Sequence, residues 1–129
     1  MSRAILIADD SCNVRRVVHS YLTEQGFDVC GEAADGEDAI AKARTLRPDL
    51  ILLDVAMPST NGIEVASVLK EIMPAVRIVL FTMYSQAVSR TFPREELTVD
   101  AVIDKAEGVS RLAECVQSLL NPSSEVPRN

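Results

Sequence analysis

The chain has no tryptophan, a single histidine, three cysteines and only 4% aromatic residues in 129. So few imidazole and thiol ligands, with no Cys-x-x-Cys pair, argue against a zinc centre and against a disulfide-stapled scaffold. Basic residues are also in short supply. Thirteen of them face 19 acids, for a formal charge of −6, and no basic run exceeds the pair Arg15-Arg16. That balance argues against nucleic acid or an anionic membrane as a partner. Apolar stretches such as "AILI" and "LILL" are far shorter than the ~20 residues that span a bilayer, and the first residues lack the apolar core of a secretory signal. A cytoplasmic protein is expected, with Cys12, Cys30 and Cys115 reduced and serving mainly as core filler.

What is present is alternation. Short β-branched runs and helix-period segments follow one another five times, the pattern of a parallel sheet with crossover helices. Strands are expected over 4–8, 27–32, 49–53, 76–81 and 99–103. The third and fourth are almost continuously apolar, as strands covered on both faces must be. Helix one carries a stripe of Val14, Val17, Val18, Tyr21 and Leu22. Helix two opens at Asp35 and buries Ala39, Ile40, Ala43 and Leu46. Helix three starts at "NGIE", where Asn61 and Glu64 have capping-box spacing. Pro93 limits helix four to about Ser85–Thr91, and helix five runs from about Gly108. A single folded unit over 1–121 with a flexible Pro/Ser-rich tail over 122–129 is expected, and no output domain. Right-handed crossovers favour a doubly wound, three-layer α/β fold whose five-stranded parallel sheet has the order 2-1-3-4-5.

In that order the carboxyl ends of the strands converge. They carry Asp9 and Asp10 after strand one, Asp54 after strand three, Thr82 after strand four and Lys105 after strand five. A lone Asp or Lys at such a place is ordinary turn chemistry, but three carboxylates cannot all stay ionised within a few ångströms without a cation. The donors are hard oxygens, which selects Mg²⁺ or Mn²⁺ over zinc or copper. Magnesium held by one or two carboxylates keeps sites for phosphate oxygens. A carboxylate can itself accept a phosphoryl group, and Asp54, closing the central strand "DLILLD", is the best placed of the three. The same acids argue against a flavodoxin-type cofactor site, in which uncharged loops cradle the phosphate.

The motifs "IADD", "PDLILLDVAMPSTNGIE", "LFT" and "IDK" together resemble the receiver domain of two-component response regulators, a flavodoxin/CheY-like fold, and the likeness covers residues 3–120. The resemblance implies Asp54 as phosphoacceptor and Asp10, Asp54 and the carbonyl of Ala56 as direct metal ligands, with Asp9 acting through water. Thr82 is similar to the switch hydroxyl, and Lys105 to the cation that pairs with Asp54 and then with the phosphoryl group. It also implies a histidine kinase or phosphotransfer protein as donor and a downstream protein target docking on the helix four, strand five and helix five face. No enzymatic activity is implied beyond the domain's own phosphorylation and dephosphorylation.

Three departures stand out. Val102 occupies the place where receivers usually have an aromatic residue. Met83 replaces the usual Ala or Gly after the switch threonine and is expected to narrow access to the acceptor. Ala106 replaces the usual cis proline, so a trans Lys105-Ala106 bond is expected. Tyr84 and Ala56 flank the approach of a hydrolytic water and are expected to lengthen the phosphoryl lifetime. A pseudo-receiver acting as a constitutive interaction or dimerisation module is the main alternative. A phosphatase using an aspartyl phosphate ranks lower, because Ala56 stands where a second acid is needed. His19 is expected to be a solvated surface residue, and Arg15-Arg16 on helix one to help dock a kinase.

Overall fold

The computed structural model describes residues 3–121, so the tail expected over 122–129 lies outside the described residues. Five parallel strands form one sheet: β1 (Ala4–Ala8), β2 (Asp28–Ala33), β3 (Leu50–Leu53), β4 (Arg77–Thr82) and β5 (Ala101–Asp104). Their order is β2-β1-β3-β4-β5, as the crossover rule predicts. Five helices cover the two faces: α1 (Cys12–Glu24), α2 (Gly36–Leu46), α3 (Gly62–Ile72), α4 (Ser85–Thr91) and α5 (Gly108–Leu120).

The two-residue period of a strand sorts each apolar run into two cores. Leu6, Ala8, Ile51, Leu53, Ile78 and Leu80 point one way, to Ala39, Ala43, Val65, Leu69 and Val88 of α2, α3 and α4. Ile5, Ile7, Leu50, Leu52, Val79 and Phe81 point the other way, to Val18 and Leu22 of α1 and to Leu112 and Val116 of α5. Continuous hydrophobicity in β1, β3 and β4 is therefore the mark of a sheet covered on both sides.

Caps fix where the helices begin. Ser11 Oγ accepts the Val14 N–H at 3.2 Å and Asp35 Oδ1 accepts the Asp38 N–H at 2.8 Å. Asn61 accepts from Ile63 N–H at 2.7 Å, one residue short of Glu64, so α3 has an Asn cap rather than the expected capping box. Helix α1 ends against Gly26, whose φ of +95° is the left-handed conformation that glycine adopts without strain. Helix α4 stops at Thr91, and Phe92 is extended ahead of Pro93.

Some expectations are corrected. Strand β5 starts two residues later than predicted, and just ahead of it Asp100 bonds Ile78 with both its backbone N–H, at 2.8 Å to the carbonyl, and its side chain. Its Oδ2 accepts the Ile78 N–H at 2.8 Å while the carboxylate pairs with Lys70 and Arg77. A small hairpin, Ala56–Met57 with Thr60–Asn61, was not anticipated. Val17 is 54% exposed because it lies over an open groove between α1 and α5, and Leu46 is partly exposed because it caps Gly31 at the edge of the sheet. Cys12 is exposed at the start of α1 rather than core filler; Cys30 and Cys115 are half-buried, and burial pushes both thiols up. Cys30 sits at an irregularity in the β1–β2 ladder and donates its S–H to the Ile5 carbonyl at 3.5 Å.

Candidate functional site

Parallel strands place their carboxyl ends on one edge, and there β1, β3, β4 and β5 deliver Asp9, Asp10, Asp54, Thr82 and Lys105 together, as the sequence predicts. Oxygens of the three carboxylates lie within 4.8 Å of one another; Asp9 and Asp54 are buried and Asp10 is exposed. Lys105 Nζ stands 2.7 Å from Asp9 Oδ2 and 3.3 Å from Asp54 Oδ2. The lysine was expected on Asp54; it bridges both acids and lies nearer to Asp9.

Two of the three carboxylates are held from their own loops. Asp9 Oδ1 accepts the Ser11 N–H at 2.9 Å and Asp54 Oδ1 the Ala56 N–H at 3.4 Å. Arg15 Nη1 donates to the Asp9 carbonyl at 2.7 Å, fixing the turn into α1. Burial pushes the Asp9 carboxyl above its ordinary value, and the hydrogen bonds from Lys105 and the Ser11 N–H offset that only in part. Burial acts to depress the Lys105 ammonium, but the hydrogen bond to Asp9 and the charges of Asp54 and Asp9 outweigh it, so its value is raised. Three carboxylates against one ammonium leave two negative charges, matching a hard divalent ion in sign, magnitude and donor type.

The sheet order, the two cores and this edge match one known architecture. The sequence profile of the response regulator receiver domain matches residues 5–117. The chain belongs to the receiver domain family. It is 36% identical over 121 residues to response regulator protein VraR of Staphylococcus saprophyticus, covering 93% of this chain and 57% of that protein. The receiver thus spans a little over half the length of such curated relatives. Among solved structures it is similar to response regulator TrrA of Thermotoga maritima in complex with Mg²⁺-BeF, at 31% identity and TM-score 0.79, covering 92% of this chain and 99% of that one. A two-component response regulator of the LuxR family from Aurantimonas sp. is 25% identical with a TM-score of 0.84, covering 95% and 87% of the two chains.

The receiver's departures now have geometry. Thr82 is fully buried and its Oγ1 accepts the Tyr84 N–H at 3.1 Å. Met83, expected to narrow access to the acceptor, is 73% exposed in the turn that this bond closes. Tyr84 and Ala56 line one groove of about 290 Å³, together with Val55, Ala87, Val88, Thr91 and Phe92. Val102 packs against the core under α2, α3 and α4, and no cis peptide occurs among the described residues. His19 is not simply solvated: its Nδ1 lies 2.6 Å from Glu32 Oε2, and Arg15 Nε donates to the same carboxylate at 3.0 Å. The His19 contact, ahead of the Arg15 contact and against some burial, holds Glu32 below the usual carboxylate range.

Three site-supporting residues escaped the sequence reading. Asp104 accepts the Ser85 hydroxyl at 2.6 Å and the Ala106 N–H at 2.8 Å, which hold its carboxyl below the ordinary value. Glu107 accepts the Asp104 N–H at 3.0 Å and completes a capping box around the turn that bears Lys105. The string "DKAE" carried that signal at the usual three-residue spacing.

Gly62 is the third. A Cβ there would lie 2.3 Å from the Asp54 carbonyl oxygen and 2.7 Å from Val55 Cα, backbone atoms that cannot rotate aside. Gly62→Ala is expected to cost about 1–3 kcal/mol, the usual range for overpacking, and to shift Asp54. A urea midpoint unchanged from wild type would contradict this.

Proposed function

We propose that this receiver accepts a phosphoryl group on Asp54 from a histidine kinase or phosphotransfer protein, in a reaction that needs Mg²⁺ or Mn²⁺. The observation that carries the reading is the three-carboxylate cluster with Lys105 bridging Asp9 and Asp54. Support also comes from the similar TrrA structure, described as a complex with Mg²⁺-BeF.

Asp10, Asp54 and the Ala56 carbonyl would hold the metal directly. Asp9, already occupied by Lys105 and the Ser11 N–H, would act through water. When bound, the ion neutralises charge on the oxygens of the transferring group. A carboxylate oxygen of Asp54 forms the new O–P bond while the N–P bond to the donor histidine breaks, and that imidazole leaves with the electron pair and takes up a proton. Lys105 stands 3.3 Å from the acceptor and follows the charge onto the phosphoryl oxygens. Thr82 donates its hydroxyl to the same oxygens, which moves the β4–α4 turn. The altered face of α4, β5 and α5 then recruits a protein target. The folded unit is assigned to residues 1–121. Among the described residues no helix is long and apolar enough to cross a membrane, and a cytoplasmic location is proposed.

Val102, where an aromatic usually stands, favours a second reading: a pseudo-receiver that binds its partner without phosphorylation. Intact-mass measurement after incubation with acetyl phosphate separates the two. The proposal expects a gain of one phosphoryl group with Mg²⁺ and none in chelator; no gain in folded protein with Mg²⁺ supports the constitutive module.

The groove shared by Tyr84 and Ala56 bears on lifetime. The role proposed for Tyr84, which lines this groove beside Ala56, is to hinder water on its way to Asp54, and Ala56 offers no polar side chain to orient a water molecule. Tyr84→Ala is expected to speed hydrolysis of the acyl phosphate on the order of tenfold, about 1.4 kcal/mol of barrier. The decay of phosphorylated protein measures it, and an unchanged half-life would remove the role assigned to Tyr84.

A further inference from the structure

Helix α4 is poorly anchored by its own residues. It has seven residues, its N-cap Tyr84 makes no capping hydrogen bond through its side chain, and Val88 is its one buried residue. A helix with so little burial is drawn from the low-stability end of a fold and responds readily to a local contact. One strong contact exists: the Ser85 hydroxyl, on the first residue of α4, donates to Asp104 Oδ2 at 2.6 Å. A hydroxyl–carboxylate bond of that length is charge-assisted, of the stronger class of hydrogen bonds.

Asp104 is also the residue before Lys105. Its other oxygen caps the Lys105 turn through the Ala106 N–H, and its own N–H is held by Glu107. Two turns thus reach the acceptor site, one carrying Thr82 and the other Lys105. Ser85 follows Thr82 by three residues on the first, Asp104 precedes Lys105 by one on the second, and they bind each other.

We infer that the Ser85–Asp104 pair is a polar latch that makes the Thr82 turn, the Lys105 turn and helix α4 move as one unit when the acceptor site is filled. The inference rests on Asp54 being the acceptor. It also gives a receiver with Val102 a route for transmitting its state, a hydrogen bond between neighbouring turns. Ser85 and Asp104 are positioning residues, acting through Lys105 and α4 without touching the phosphoryl group.

Beryllium fluoride with Mg²⁺ is the probe, read in two ways on the full chain: fluorine NMR for the binding midpoint, and hydrogen exchange over residues 83–97 for the α4 response. In Ser85→Ala the midpoint should stay within about threefold of wild type, since the altered side chain does not touch the acceptor site. The ligand-induced change in exchange should fall by at least about half, because α4 is no longer fastened to the turn that responds. Ser85→Thr, which keeps the hydroxyl, should restore it. Should Ser85→Ala fray α4 before ligand is added, Asp104→Asn serves instead: it keeps an oxygen acceptor but loses the charge, and an intermediate response is expected. A full wild-type response in Ser85→Ala, or in Asp104→Asn where that variant stands in, overturns the latch. Wild-type protein that takes no beryllium fluoride overturns the Asp54 reading, and the latch with it.

Discussion

Asp54→Asn should take up no phosphoryl group from acetyl phosphate at any Mg²⁺ concentration, and the metal-free variant should be at least as stable as wild type. Asparagine has the same shape, and its oxygen can still accept the Ala56 N–H. What is lost is the nucleophile and one negative charge. Losing the nucleophile ends covalent chemistry at this position, and the flanking acids cannot substitute: Asp9 is tied to Lys105 and the Ser11 N–H, and Asp10 is an exposed residue at the rim. Removing the charge lowers the net charge of the cluster from −2 to −1 and so weakens metal binding, by at least about tenfold or 1.4 kcal/mol. It also removes a like charge from beside Asp9, whose buried carboxyl is already raised. The remaining Lys105–Asp9 pair is the shorter of the two bridges. A stability gain of up to about 1 kcal/mol is expected, within the normal span of single substitutions. Intact mass, Mg²⁺ titration and a urea midpoint check the three parts separately. Phosphoryl uptake that persists in the variant would move the acceptor to another residue.

Much of this site was legible before any coordinates, for a reason specific to the fold. In a doubly wound sheet, the residue after each strand is carried to the same edge whatever the helices do, so chain order and strand ends were enough to assemble Asp9, Asp10, Asp54, Thr82 and Lys105. The alternation of Ile5 and Ile7 against Leu6 and Ala8 likewise needed only the period of a strand. Pairing across crossovers was not legible. Whether Lys105 leans to Asp54 or Asp9 is a matter of less than an ångström, which chain order does not resolve. Val17 and Leu46 follow the helical stripe yet lie partly outside it, because the stripe is wider than the sheet edge that each helix covers. Helical periodicity locates a face and does not say how far the neighbouring element extends over it. The exposure of Met83, in a turn closed by a backbone bond to Thr82 Oγ1, is not something residue size alone reveals.

Lys105→Met should lose about 3–5 kcal/mol of stability at neutral pH without metal, the range for removing one partner of a buried ion pair. Among the described residues Lys105 is the one cation paired with either Asp9 or Asp54. Methionine fills a similar volume, so the loss is electrostatic: two buried carboxylates are left facing each other. The pH dependence follows from the directions of the shifts. In wild type the Lys105 value is raised above 10.5, so its stabilisation is complete below that pH and is lost as pH climbs through the raised value. Asp9 is raised above 3.8, so the folded state holds its proton more tightly than the unfolded chain does, and stability falls as pH rises through the interval above 3.8. Without Lys105 its hydrogen bond and its charge no longer lower Asp9, only the Ser11 N–H still does, and that interval widens upward. The deficit of Lys105→Met should therefore be small in acid, where Asp9 is protonated in both proteins, and reach its full size only at neutral pH. Saturating Mg²⁺ should then recover most of it, because a divalent ion binding the folded state supplies the missing positive charge. Urea midpoints across pH, with and without Mg²⁺, give the answer. A deficit indifferent to both would mean that Lys105 supports the fold by packing alone, and that the crowded acids at the strand ends are neutralised by something other than this ammonium.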